Sequence, residues 1–497
     1  MKISIVGGGA TGIAVLRHLA DRASADRHHN PITAIRLFDK SGFDGGMAYR
    51  TENERHLLNM KVSTMSIRVG EPQDFLRWAD RVGLPCDSND HLPRKVYRRY
   101  LEDARQAAIG RCRDAGIEFA AAHAEVIGMR WSPNQITLRT DDGVEHRSSV
   151  VMLCTGHNAP DDHYGLAASL NFHRDPYAAF DFPDRNGMAV GILGTGLTAV
   201  DSLVALASTH PSVTMTCFSR SGLFPAVQAT RLFAAAGDFR LAARSWIQSC
   251  DQIGADEFAG KISEWLQIHA GISCDLSCRD IDSNALADVE RNIAAAQSGK
   301  PNVSSLLTSI ADVICDAWNG MNRIEKTRFM EVYNAGWLRN RSAMPLANAI
   351  KIRDMLRSGR LSTVARLRNV VAHDGGFCAT FGDDGSRDVN HMIAATGPSY
   401  RLNASPLYRD MQRQGIVALD RLGGISCDYA DGKVRDADGS KYRNLYAVGG
   451  PTKGTHFYAA AVDINLRRAE AAINSILLDA ERVQPRSSAA DYALAGG

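Results

Sequence analysis

Two glycine-rich turns constrain this chain more than any other feature. "ISIVGGGATGIAVLRHLA" runs from Ile3 to Ala20, and "GILGTGLTAV" runs from Gly191 to Val200 behind another apolar stretch. Each reads as a short buried strand, a glycine turn and the start of a helix. Gly7, Gly9 and Gly12 form G-x-G-x-x-G in the first; Gly194, Gly196 and Ala199 hold the same positions in the second. One glycine permits the tight turn, one lets a pyrophosphate approach the backbone, and one allows helix and strand to touch. The helix N-terminus then faces the phosphates with its partial positive charge. One such unit holds one dinucleotide, and this chain has two.

The strand after each turn tells the two apart. The first helix leads into the strand "AIRLFDK", which ends at Asp39. A carboxylate there accepts hydrogen bonds from ribose hydroxyls and repels a 2′-phosphate. Asp39 stands 27 residues after Gly12, against about 20 in the usual motif. The polar insert "SADRHHNP" accounts for the difference, and its His28 and His29 read as solvated loop residues. The strand after the second turn, "VTMTCFSR", ends instead in Ser219 and Arg220. A guanidinium offers phosphate a fork of donors. The first site therefore suits FAD. The second suits NADPH better than NADH, with Gly194, Gly196, Thr198, Ser219 and Arg220 as its expected contacts.

Two other segments repeat one another. "AEVIGMRW", "QITLRTDDG" and "EHRSSVVMLCTG" read as three strands; so do "ARLRNVVAHDGG", "FCATFGDDG" and "RDVNHMIAATG". Each set is an antiparallel meander with "DDG" at its last turn, closing in "TG". From Phe224 to Trp337 the periodicity turns helical, which marks an insertion and the expected seat of substrate specificity. After Gly397 come a strand, the glycine-rich "VGGPTKG", a long final helix and an aperiodic tail. The expected architecture is α/β, with two Rossmann-like dinucleotide-binding domains, small antiparallel meanders and a helical insertion. The FAD domain takes residues 1–160 and 391–478, and the NADPH domain 161–225 and 338–390. The insertion takes 226–337, and a disordered tail 479–497.

Composition agrees with a multi-domain globular chain: 497 residues, 45% hydrophobic and 23% charged. A net charge of +2 gives no bias toward nucleic acid or anionic membrane. No apolar run approaches the roughly 18 residues of a bilayer span. The first residues enter a strand rather than a leader, so the cytoplasm is the expected compartment. Of ten cysteines only Cys274 and Cys278, in "CDLSC", lie close together. Without a second short-spaced Cys or His pair, no metal site is expected. A homo-oligomer is compatible with all of this.

Two dinucleotides define an electron route from nicotinamide to flavin. A dithiol acceptor needs a close cysteine pair after the first unit, and "SGFDGGMAYRTENERHLLN" has no cysteine. A single-Rossmann aromatic hydroxylase would carry a Gly-Asp pair where this chain has "VGGPTKG", and would lack the second turn. Molecular oxygen is the third acceptor. Reduced flavin forms a C4a-hydroperoxide that transfers its distal oxygen, and bound NADP⁺ shields that species from water.

The stretches "IVGGGATG", "GGMAYRT", "HLLNM", "FLRWA", "LPRKVYRRYL", "CTG", "GILGTGLTAVDSL", "SRSGLFP", "WLRNRSAMP", "AATGPS" and "AVGGPTKGTHF" carry a resemblance over residues 1 to about 475. In them the chain resembles bacterial FAD/NAD(P)-binding flavoproteins related to two-dinucleotide flavin monooxygenases, including amino-acid N-hydroxylases of the nitrosuccinate-forming type. The resemblance implies an NADPH-dependent FAD monooxygenase that hydroxylates the amine of a small amino-acid-like substrate with molecular oxygen. Carbon hydroxylation of a small heterocycle such as urate, and electron transfer without oxygen insertion, stay open as alternatives. The ketone-oxygenating pattern F-x-G-x-x-x-H is not intact in "NFHRDPYAAFDFP".

The same resemblance implies that Gly46, Tyr49 and Asn59 line the flavin, although Tyr49 reads equally well as a core aromatic. It implies that Gly449, Gly450 and Gly454 bring backbone close to the flavin, and that Thr155 and Gly156 mark the crossing between domains. No catalytic side chain is singled out. N-hydroxylation needs an unprotonated amine, which a desolvating pocket or a base favours. A substrate carboxylate calls for an arginine, and Arg339 and Arg341 in "WLRNRSAMP" are the candidates. The competing reading makes them a structural pair that holds the insertion to the NADPH domain.

Overall fold

The computed structural model describes residues 1–26, 29–178, 180–231, 233–277 and 284–483. His28, Cys278 and the tail from residue 484 lie outside the described residues. The first unit runs β1 (Lys2–Val6), α1 (Ala10–Ala25), β2 (Ala34–Phe38), α2 (Asp74–Arg81), α3 (Arg94–Asp114) and β3 (Glu118–Ala122). A meander comes next, β4 (Val126–Trp131), β5 (Ile136–Thr140) and β6 (Glu145–Ser148), and then β7 (Val150–Leu153).

The second unit begins with β8 (Phe172–His173), β9 (Ala189–Leu193), α4 (Leu197–Thr209) and β10 (Thr214–Phe218). Eight helices come after it: α5 (Ala235–Ser249), α6 (Ala255–Ala270), α7 (Ala285–Gln297), α8 (Val303–Ser309), α9 (Val313–Gly320), α10 (Arg323–Val332), α11 (Asn334–Arg341) and α12 (Leu346–Arg357). The unit closes with β11 (Leu361–Val364), the meander β12 (Leu367–His373), β13 (Gly376–Phe381) and β14 (Gly385–Val389), and β15 (His391–Ala394). The chain then returns to the first unit with α13 (Pro406–Arg413), β16 (Lys433–Arg435), β17 (Lys441–Ala447) and α14 (Val462–Val483).

The two units share one topology. The first sheet runs β16-β17-β7-β1-β2-β3 and the second β11-β10-β9-β15-β8, so β7-β1-β2-β3 repeats as β15-β9-β10-β11. Every pairing within those two runs is parallel. Ile3 to Val6 are all buried, as a central parallel strand covered on both faces requires. Ser4, its one polar member, is matched by the Ser148 hydroxyl at 2.6 Å.

The third strand of each expected meander is two strands. "EHRSSVVMLCTG" divides at Ser149 and "RDVNHMIAATG" at Asn390. At those points Ser149 N donates to Lys2 O, and Asn390 N to Ala189 O, each at 2.8 Å. The first half of each segment stays in the meander, and the second half joins the parallel sheet. One expected boundary therefore shifts. β15 pairs with β9, His391 opposite Val190, so the second domain extends past 390.

The insertion also divides. Phe258, Ile262, Leu306, Ile314, Trp318, Phe329 and Trp337 form one helical core that reaches Phe457 and Tyr458. Val289 and Ile293 of α7 instead pack with Ala349 and Ile352 of α12 in the core of the second domain. The expected insertion of 226–337 therefore surrenders α7 to that domain and gains the end of α11. Residues 479–483, expected in the tail, continue α14. Among the described residues no helix is long and apolar enough to cross a membrane.

Candidate functional site

Each sheet presents one glycine turn at the C-terminal end of its central strand, and the two turns have nearly the same geometry. Gly7 has φ +109° and Gly194 φ +114°. The N-caps Gly9 and Gly196 have φ/ψ of −73°/−172° and −72°/−172°. Neither helix has a capping side chain or an acid in its first turn. The first N–H groups of α1 and α4 are therefore left for an anion, as a pyrophosphate cradle requires.

Steric contacts explain the glycines. A Cβ on Gly7 would lie 2.3 Å from Cys154 O, and one on Gly194 would lie 2.5 Å from Ala395 O. A Cβ on Gly12 would meet Gly7 O at 1.8 Å, where α1 touches its strand. A Cβ on Gly196 would meet nothing within 4 Å beyond its chain neighbours. The residues at both turns thus fit a dinucleotide.

The first turn gathers much of the expected flavin site. Asp39 Oδ2 accepts from Gly8 N and Oδ1 from Ser41 N, both at 2.7 Å, which fixes the carboxylate beside the cradle. Gly46, at φ +77°, lies against Gly9. Gly449 lies against Thr11 at the start of α1, and a Cβ on Gly450 would meet Gly156 O at 1.8 Å. Thr155 Oγ1 is 2.8 Å from Tyr408 Oη. Gly454 stands apart: a Cβ there would meet Asp420 at 2.2 Å, so packing within the protein already explains it.

Asn158, just past Gly156, pairs with Ser399 on the returning segment. Tyr49 stacks at a tilt on Tyr97, ring centroids 4.7 Å apart, and burial pushes its hydroxyl up to about 12. This places it in an aromatic core at the edge of the cradle. Asn59 offers its carbonyl to Gln228 Nε2 of the second domain at 2.6 Å.

At the second turn, Thr195 Oγ1 donates to Ser219 Oγ at 3.2 Å. Arg220 comes next with an exposed side chain. Among the described residues it has no carboxylate at salt-bridge distance, which leaves its donors for a phosphate. Between the turns lies a connection that the sequence reading did not anticipate. Arg94 Nη2 donates to Asp201 Oδ2 at 2.8 Å, with both side chains buried. The same guanidinium reaches Ala48 O and Leu57 O and sits 5.3 Å from the Tyr177 ring. Burial, opposed by Arg94, raises the Asp201 carboxyl to about 6. The network ties the segment beside the first cradle to the first turns of α4.

On the insertion side, the two candidate arginines separate. Arg339 Nη2 donates to the buried Asp288 at 2.6 Å, binding α11 to α7. Its charge is thus matched inside the protein. Arg341 lies over the Tyr458 ring at 4.8 Å. Trp337 Nε1 donates to the Tyr458 hydroxyl, and Trp318 Nε1 to Gly454 O at 3.1 Å. Lys453 places its ammonium 4.6 Å from the Phe457 ring. Burial lowers its pKa to about 8. These aromatic and cationic groups stand where the helical core meets the late turn.

Among the described residues no cluster of His, Cys, Asp and Glu could hold a metal. Arg94, Asp201, Tyr177, Lys453 and Tyr458 were missed by sequence reasoning. "LPRK" and "VDSL" contain the first two, but nothing local pairs residues 107 positions apart.

Two parallel-sheet units of like topology, each with an open glycine turn, define the fold of two-dinucleotide flavoenzymes. Comparison with known proteins agrees. Residues 4–158 match the NAD_binding_9 family model, described as FAD-NAD(P)-binding. An uncharacterized protein of Escherichia coli K12, YdhS, is 23% identical over 228 residues. That match spans 42% of this chain and 40% of the relative's length. Ornithine hydroxylase PvdA of Pseudomonas aeruginosa superposes with a TM-score of 0.56 at 14% identity, covering 96% of this chain and 98% of that one. The ornithine N-hydroxylase of Kutzneria sp. 744, solved with reduced FAD, NADP⁺ and L-ornithine, gives 0.55 at 14%, covering 96% and 99%. The bacillithiol disulfide reductase of Staphylococcus aureus gives 0.53 at 11%, covering 96% and 98%.

Proposed function

We propose that this protein is an NADPH-dependent flavin monooxygenase that hydroxylates the amine of a small amino-acid-like substrate. The observation that carries the reading is the pair of matched cradles, Gly7–Gly9 and Gly194–Gly196, linked by Arg94 and Asp201. In this reading α1 and Asp39 hold FAD, while α4, Ser219 and Arg220 hold NADPH. The bound cofactors supply hydride transfer to flavin and activation of molecular oxygen. The chain supplies orientation and exclusion of water. Trp318, Trp337, Phe457 and Tyr458 are buried together beside the late turn, and apolar surroundings of this kind favour a neutral amine. The ornithine hydroxylases of like fold support an amine substrate.

A second reading, NADPH oxidation without oxygen insertion, is favoured by the likeness to a disulfide reductase. Against a dithiol route stands the absence of cysteine from residues 41–59. Among the described residues, Cys86, Cys112, Cys154 and Cys427 of the first domain are free thiols. The test is a panel of amino acids and amines scored by hydroxylated product per NADPH consumed. The purified protein is expected to be yellow and to be reduced faster by NADPH than by NADH. If no compound alters NADPH oxidation and all consumed oxygen appears as peroxide, amine hydroxylation is refuted.

A further inference from the structure

Arg341 ends α11 at a three-way junction. Its guanidinium lies on the Tyr458 ring, beyond the late glycine turn. Two residues on, Ala343 O accepts from Gln228 Nε2 at 2.9 Å, and the same nitrogen donates to Asn59 O of the first domain. The helical insertion, the flavin-side segment "HLLNM" and the late turn therefore meet around the end of α11, where this side chain is attached.

Its charge is uncompensated. Among the described residues no carboxylate lies within 4.0 Å of it, whereas Arg339, two positions earlier, is paired with Asp288 at 2.6 Å. Nε and Nη2 of Arg341 are buried without a hydrogen-bond partner. Both belong to the guanidinium that lies over Tyr458, and they are donors that the described protein groups leave unanswered. A guanidinium flat on an aromatic ring is held in orientation and loses little freedom when it binds a planar anion. Half-buried charges that lack a partner in the protein are costly, and an anionic ligand removes that cost. Lys453, on the neighbouring Phe457 ring, adds a second cation to the same aromatic cluster.

We propose that Arg341, and not Arg339, anchors the carboxylate of the ligand, so that the site takes amino acids in preference to the corresponding simple amines. This inference names the substrate class and rests on the amine-hydroxylase reading. Its test is separable from that reading because binding is measured without turnover.

FAD-loaded wild type, Arg341→Gln and Arg341→Lys are compared by isothermal titration in the absence of NADPH. The probes are L-ornithine with putrescine, and L-lysine with cadaverine. Flavin absorbance per chain verifies that each variant is intact. Wild type is expected to bind at least one amino acid more tightly than its decarboxylated partner. Arg341→Gln is expected to weaken that amino acid about thirtyfold and to leave the diamine within about threefold. Arg341→Lys is expected to recover part of the loss. Equal weakening of both members of a pair overturns the proposal, as does no weakening at all. So does a wild type that shows no preference for the carboxylate-bearing member of either pair. Binding with the expected pattern but without hydroxylated product would refute the amine-hydroxylase reading and leave the anchor standing.

Discussion

Arg94 and Asp201 meet at 2.8 Å inside the protein, one at the start of α3 in the first domain and the other in the second turn of α4 in the second. Asp201 Oδ1 has no hydrogen-bond partner, and the carboxylate is held by Arg94 with the Tyr177 side chain beside it. Arg94→Met strands a buried carboxylate and is expected to cost about 3–5 kcal/mol. The double variant Arg94→Met/Asp201→Leu removes both charges and is expected to be more stable than the single one. Thermal unfolding of the three proteins checks this; an equal loss in the single and double variants would show that the charge pair is not the cause.

The glycines of the two turns are expected to respond differently to alanine. At Gly12 the new Cβ falls 1.8 Å from backbone Gly7 O, which cannot move without parting α1 from its strand. Gly12→Ala is expected to give a colourless or insoluble protein. At Gly196 the φ of −72° suits alanine, and beyond its chain neighbours no protein atom lies within 4 Å of where a Cβ would stand. Gly196→Ala is expected to fold and keep its flavin while losing affinity for NADPH. Flavin content and stopped-flow reduction separate the two outcomes.

Arg220, two residues past β10, is the residue proposed to meet the 2′-phosphate. Arg220→Ala is expected to raise KM for NADPH by about 10- to 100-fold and to leave NADH use nearly unchanged. Comparable losses with the two reductants would remove the phosphate role.

Acid should weaken the fold through buried neutral histidines. Burial, and then Arg94, lower the pKa of His56 to about 4; burial, and then Arg468, lower that of His456 to about 3. The unfolded chain binds protons at these sites from about pH 6.5 downward, and the folded one does so only near 4 and 3. Between those limits the unfolded state holds more protons, so stability falls as pH falls. At pH 5 each site is expected to withdraw about 2 kcal/mol relative to pH 7.5. His456→Gln, which can keep a hydrogen bond to Thr452 or Tyr429 O, is expected to flatten the fall in unfolding temperature between pH 7 and 5. An unchanged slope in both His56→Gln and His456→Gln would exclude these groups as the source.

Much of the fold was legible because its signals are local. Gly7, Gly9 and Gly12 within six residues, or an apolar run before them, report sterics that act over one turn of chain. The two meanders were legible for the same reason. The division of "EHRSSVVMLCTG" at Ser149 was not, because an apolar continuation looks the same whether it stays in the meander or enters a parallel sheet. The partner that decides it, Lys2, is 147 residues away.

The sequence by itself determined the two turns, their order and the chemical difference between Asp39 and Arg220, since each depends on residue type and near spacing. Only the tertiary structure decided that α7 belongs to the second domain, that Arg339 is held by Asp288 while Arg341 is not, and that Arg94 locks onto Asp201. Those outcomes depend on which surfaces pack together over long separations, where burial makes one unpaired charge costly and spacing along the chain carries no information.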